Sequence, residues 1–197
     1  MKKLFIIGML VFLFTGCGSI TPKDQSSLAT YDFGLPQQSN DKVRRVKARL
    51  EVPTVNSPSW LDTPAILYRL TYQDTALLQP YANSRWAASP SALLTLRLRQ
   101  AIDDIKSGGE DVKQYDVQVA LEEFSQVFDK PGSSHVLLRA NVQLTGHDDR
   151  STVAERTFTI ERNAPTADAQ GAVSALTQAS DDFITQLVDW LTALPGM

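Results

Sequence analysis

The sequence predicts a single α/β (α+β) domain in which a mixed β-sheet, containing an antiparallel meander, carries two long amphipathic helices. Three observations predict it. Around Ser89-Pro90 the apolar period changes from two to about 3.6, so a helix separates two groups of strands and at least one parallel crossover is implied. From Tyr115 onward three alternating segments follow one another across short turns, the pattern of a meander. Between about Asp168 and Leu194 apolar residues recur at three-four spacing, a helix face that demands a surface to pack on.

Residues 1–16 stand apart from that domain. Leu4 to Phe14 is nearly all apolar behind Lys2 and Lys3, too short for a permanent membrane span and built like a secretory signal. It closes in Leu13-Phe14-Thr15-Gly16-Cys17, which contains the one cysteine of the 197-residue chain. Bacterial lipoprotein signals resemble this segment: small residues stand directly before a cysteine whose thiol takes a diacylglycerol and whose freed amine takes a third acyl chain. Phe14 departs from the usual Leu but keeps the position apolar. Two or three chains hold a domain on a membrane where one is marginal, at about 0.8 kcal/mol per buried methylene. Cys17 is thus the expected lipidation site. Gly18 stands where enteric lipoproteins retained in the inner membrane usually carry Asp, so the implied address is the outer membrane of a Gram-negative bacterium, facing the periplasm.

Removing sixteen residues from 197 leaves 181, enough to bury roughly 70% of the unfolded surface in one domain. Residues 17–28 read as a small, polar tether and 29–197 as the periplasmic domain. Its first strand is expected at Thr30 to Leu35, followed by turn chemistry from Pro36 to Asp41. Val46, Ala48, Leu50 and Val52 then alternate with Arg45, Lys47, Arg49 and Glu51, a half-buried strand whose cations read as a solvated face. Pro53 to Pro64 breaks the pattern, and Ile66, Tyr68, Leu70 and Tyr72 restore it. Ser89 is placed as N-cap and Pro90 in the first helical turn, where its missing N–H costs nothing. Leu94, Leu98, Ala101, Ile102 and Ile105 share the inner face of this helix, Arg97, Gln100, Asp103 and Asp104 lie off it, and Gly108-Gly109 ends it. Tyr115 to Phe128, His135 to Gly146 and Thr152 to Arg162 are the meander strands, with a bulge or strand end at Glu122-Glu123-Phe124. In the last helix Val173, Leu176, Ser180, Phe183, Leu187, Trp190 and Leu194 form the stripe, widened by Ile184, Val188 and Leu191 before Pro195-Gly196.

Charge and motifs narrow the function. Removing Lys2 and Lys3 from 19 basic residues leaves 17 against 22 acidic ones, which excludes a nucleic-acid partner that relies on a basic face. A lone cysteine excludes an intramolecular disulfide and a multi-thiolate metal site. Neither His135 nor His147 has a second ligand at metal spacing, so both read as surface histidines and no metal or cofactor is expected. There is no G-x-S-x-G, P-loop or G-x-G-x-x-G pattern. The acid pairs Glu122-Glu123, Asp103-Asp104, Asp148-Asp149 and Asp181-Asp182 are sequence neighbours that split across strand faces or project outward from helices, not a glycosidase-type pair. The chain is read as a non-enzyme.

Two further segments carry a resemblance. Trp60-Leu61-Asp62-Thr63-Pro64-Ala65-Ile66-Leu67-Tyr68-Arg69 and Tyr81-Ala82-Asn83-Ser84-Arg85-Trp86, together with the lipoprotein signal and the early Tyr31-Asp32-Phe33-Gly34-Leu35-Pro36, resemble the ABC-type transport auxiliary lipoprotein family, the PqiC-like lipoproteins. The resemblance implies an outer-membrane lipoprotein that serves an ABC transporter and an MCE-type protein in moving lipid between membranes, docking the periplasm-spanning partner, with a homo-oligomer as a further expectation. Trp60, Arg85 and Trp86 are the candidate partner or lipid contacts, since aromatics and Arg anchor interfaces; core packing is the alternative for each, and for Tyr68. The competing functional readings are a stand-alone envelope-maintenance or assembly lipoprotein and a periplasmic lipid-binding carrier.

Overall fold

The computed structural model describes residues 27–35, 45–52, 54–107 and 112–195. The leader, Cys17, most of the tether, the Pro36 to Asp41 turn and Gly108-Gly109 lie outside them. The elements run β1 (Ala29–Tyr31), β2 (Arg45–Val46), β3 (Ala48–Glu51), β4 (Val55–Asn56), β5 (Ala65–Leu70), β6 (Leu78–Trp86), α1 (Pro90–Asp103), β7 (Lys106–Ser107), β8 (Lys113–Lys130), β9 (Ser133–Gly146), β10 (Thr152–Asn163) and α2 (Ala169–Ala193).

The sheet is organised around β8. One edge of this strand pairs antiparallel with β9, which pairs antiparallel with β10; the other edge receives β3, β4 and β5 in succession, all parallel to it. Antiparallel β6 and then β1, parallel to β6, extend the sheet beyond β5, making eight strands among the described residues. The sheet is therefore mixed and the fold α+β, with the three meander strands forming one side of a sheet whose other side is largely parallel. Breaks near Val52 and between Asn56 and Ala65 explain why three short strands, not one long one, line this edge: the prolines at 58 and 64 cannot donate to a ladder. The parallel crossover runs from β5 through β6 and α1 to β8.

Alternation decides which face is covered. Val117, Val119, Leu121, Val136, Leu138, Ala140, Val142 and Leu144 are buried and belong to one cluster with Leu94, Leu98 and Ile102 of α1 and Leu176, Phe183, Leu187 and Leu191 of α2. The helices lie side by side on this face, joined by Arg97 of α1 and Asp181 of α2. The opposite face is polar: Arg139 pairs with Glu122, and Asn141 donates to Glu155 and Thr157 across β9 and β10. Without the register shift between Leu121 and Glu123 the alternation would turn Phe124 outward; the bulge returns it to the core against Phe33 and Trp86.

Helix ends follow local chemistry. Asp168 is the α2 N-cap, its carboxylate accepting from the Gly171 N–H at 2.8 Å and from the Thr166 hydroxyl at 2.7 Å. A Cβ at Gly171 would sit 2.0 Å from the Thr166 carbonyl oxygen, so only glycine permits this approach. Ser89 caps α1 by position without a side-chain bond, and α1 ends at Asp103, before Gly108-Gly109. The Asp104 N–H closes the last turn and the chain passes into β7 beside β2.

Candidate functional site

The most chemically loaded place among the described residues is a cleft of about 630 Å³ where β3, the end of α1 and the β9–β10 turn meet. Register builds its centre: Glu51 of β3 is the ladder partner of Asp116 of β8. The turn after β9 then folds back over them. Gly146 donates to the Ser151 carbonyl, Arg150 adopts φ +56°, and the His147 N–H binds the Gln114 carbonyl, so that the His147 and Arg150 side chains close on Asp116. Asp116 is 2% exposed, with one carboxylate oxygen 2.9 Å from His147 Nδ1 and the other 2.9 Å from Arg150 Nη1. The hydrogen bond to Asp116 raises the His147 pKa above the ordinary histidine value. Asp149 is held low by the Ser151 N–H and hydroxyl that bind it.

Glu51, Asp116 and His147 each place one donor atom within 4.8 Å of the others, a ligand set that sequence spacing did not reveal. Its chemistry does not favour a cation. Arg150 already neutralises Asp116, Arg49 lies 3.9 Å from Glu51, and His147 Nδ1 is engaged with the carboxylate it would have to share. The arrangement is an ion-pair cluster that pins the β9–β10 turn to the sheet.

The sequence-predicted contact residues separate. Trp86 is 1% exposed, edge-on to Phe33 at 5.5 Å and packed on Phe124, which corrects its placement as a contact: it is a core residue with no surface to offer. Arg85 necessarily points to the other side of β6 and is exposed, donating to the Thr30 hydroxyl of β1 at 3.4 Å. Trp60 is 42% exposed on a turn closed by Leu61 and Asp62 N–H donors to the Pro58 carbonyl. Tyr68 is half-buried and donates to Gln79. Cys17 lies outside the described residues.

Two other expectations change. Arg97, placed off the inner face of α1, is 8% exposed and bridges to Asp181 and the Phe33 and Gly34 carbonyls. Asp181 and Asp182 do not simply project outward: Asp181 holds Arg97, and Asp182 holds Arg162 of β10. No described helix is long and apolar enough to cross a membrane.

Comparison with known proteins places this geometry. Residues 31–188 match the family model of the ABC-type transport auxiliary lipoprotein component. A crystal structure of a protein from Xanthomonas campestris is similar over 83% of this chain and 94% of its own, with 22% identity and a TM-score of 0.71. A second, described as an uncharacterized protein, is similar over 84% of this chain and 99% of its own, with 16% identity and a TM-score of 0.61. At these identities the likeness is one of fold. No curated protein matches the chain.

Proposed function

The chain belongs to the ABC-type transport auxiliary lipoprotein family, and from that premise we propose that it is a non-enzymatic outer-membrane lipoprotein that docks the periplasm-spanning, MCE-type partner of an ABC lipid-transport system. The observation that carries this reading is the joining, in one chain, of that family's domain over residues 31–188 to a leader ending in Leu13-Phe14-Thr15-Gly16-Cys17. Acylated Cys17 supplies the membrane, and the folded domain supplies the surface. The domain's chemistry agrees with a holding role: buried Asp116 is met by both Arg150 and His147, and one oxygen of Glu123 is met by Arg69 at 3.1 Å. Exposed Trp60 and Arg85 are the family-like residues left on the surface to meet a partner.

Photo-crosslinking in intact cells from position 60 or 85 tests the reading. A covalent adduct with an MCE-type protein is the expected result; recovery of no such protein from either position overturns it. Pairing through copies of this chain, the homo-oligomer of this proposal, would show in the same experiment as an adduct of twice the chain mass.

A further inference from the structure

The reading that Cys17 carries the anchor leaves open how the domain stands on the membrane, and strand direction points to one end of the sheet. β1 pairs parallel with β6, Ala29 beside Ser84 and Tyr31 beside Trp86, and β6 runs away from the loop of residues 71–77 that joins it to β5. The N-terminal end of β1 therefore points toward that loop. Leu28 is level with Asn83, about six residues or 20 Å from the loop at strand rise. The eleven residues from Cys17 to Leu28 span at most about 40 Å, so an anchor at Cys17 reaches past the loop with length to spare. The opposite end of the sheet, about ten residues of β8 or roughly 33 Å away, lies within the same span but farther, and is reached only if the chain reverses the direction in which β1 points.

The loop at the anchored end has the composition of a membrane-seated turn. It exposes Tyr72 and Leu77, 41% and 49% accessible, with the small exposed residues Thr75 and Ala76 between them in the chain. Asp74 is its single charge, and that carboxylate is turned back to accept the Ala76 N–H at 2.8 Å. The backbone is closed by Gln73 and Asp74 N–H donors to the Leu70 carbonyl, and Thr71 ties the loop to Phe128 and Asp129 at the end of β8. The apolar side chains thus stand on a hydrogen-bonded loop, beside exposed Asp129 and Lys130 at the end of β8, where Asp129 is met by His135 and the Thr71 hydroxyl. Tyrosine and lysine are residues of the headgroup region, and leucine reaches the acyl boundary below it.

We infer that the β5–β6 loop, through Tyr72 and Leu77, seats on the phospholipid surface into which Cys17 is anchored. This inference rests on the lipoprotein reading of Cys17. It stands the sheet upright, with the Asp116–His147–Arg150 turn directed away from the membrane toward the periplasmic partner.

The single cysteine makes the test direct. The chain from Cys17 onward is coupled through that thiol to vesicles of phosphatidylethanolamine and phosphatidylglycerol containing a maleimide lipid, and amide hydrogen exchange is compared with the uncoupled chain. Exchange across 71–78 is expected to slow about fivefold on coupling, with no change at 146–151. A Tyr72→Ser, Leu77→Ser double variant, with an unchanged melting curve, should lose that protection. Unchanged exchange at 71–78, protection centred instead on Trp60 and Leu96 or on 146–151, or protection that survives the double variant would each overturn the inference. Chemical coupling supplies the anchor whether or not the cell acylates Cys17, so a negative vesicle result leaves the lipoprotein reading standing. Absence of acyl chains from native Cys17 by mass spectrometry refutes that reading alone.

Discussion

At the scale of single residues, two arginines and one carboxylate do work that hydropathy does not announce. Asp116 is nearly inaccessible because the β9–β10 turn closes over it, and its charge is met by Arg150 and His147. The hydrogen bond from His147 raises that imidazole's pKa, so the folded state favours protonated His147. For a raised pKa the contribution is complete below the ordinary histidine value of about 6.5 and fades as pH climbs through the folded value. Attachment of residues 146–151 should thus weaken from pH 6 toward pH 8. NMR titration of His147 tests this: Asp116→Asn should return its midpoint to the ordinary range, and an unchanged midpoint would remove Asp116 as the cause. Arg97 is the second case. Its guanidinium satisfies Phe33 and Gly34 carbonyls as well as Asp181, so Arg97→Leu should cost roughly 2–3 kcal/mol in denaturant unfolding, kept modest because Asp181 is partly hydrated. A helical wheel put Arg97 outside the core because it knows only one helix; the carbonyls come from the loop after β1, some 60 residues earlier. The Glu51, Asp116 and His147 cluster escaped for the same reason, being assembled by parallel register and a folded-back turn, not by spacing.

At the scale of elements, legibility tracks how much each segment depends on its neighbours. The meander strands lie within a few residues of their expected bounds because alternation over twelve or more residues leaves one register with a buried face. The bulge was readable where Glu122 and Glu123 interrupted that alternation. β4 and β6 were not: Val55–Asn56 is too short to show a period, and β6 contains Pro80, Asn83 and Ser84, poor strand formers kept in place by β5 and β1 on either side. β1 is shorter than expected because Gly34, at φ +67°, turns the chain after Phe33 has entered the core. α2 was visible as a stripe, and the structure shows the stripe packed on β8, β9 and β10. Two predictions belong to this helix. Leu187→Ala, at a fully buried position, should lose about 2–5 kcal/mol by calorimetry or denaturant unfolding. Asp168→Ala removes the cap and should cost about 1 kcal/mol. Hydrogen bonds from Gly171 and Thr166 hold the Asp168 pKa down, so the capping contribution is present above the ordinary carboxylate range and is lost as the pH falls through the depressed value. The gap between Asp168→Ala and the parent chain should accordingly narrow in acid, and a gap independent of pH would show that the carboxylate's charge is not what caps the helix.

At the scale of the whole molecule, fold and address are expected to be separable. Among the described residues the core cluster runs from Phe33 to Leu191 and closes around both helices and the sheet. Membrane attachment, by contrast, is expected to owe almost everything to Cys17. The described domain has no spanning helix, and its seven large exposed apolar side chains, from Leu28 to Val153, are scattered over several surfaces, too few at any one place to retain it alone. Two acyl chains of ordinary length bury some thirty methylenes at about 0.8 kcal/mol each, far beyond what a Tyr and a Leu at a loop can add. Cys17→Ala should therefore release the chain from the membrane fraction while its thermal midpoint stays with that of the detergent-solubilised parent to within about a degree. Cell fractionation and calorimetry on the same preparations check both halves. A variant that stays in the membrane would mean that the leader is retained or that a partner holds the domain there. A fall of several degrees in the midpoint would mean that the acylated tether packs on the fold and that the two functions are not separate after all.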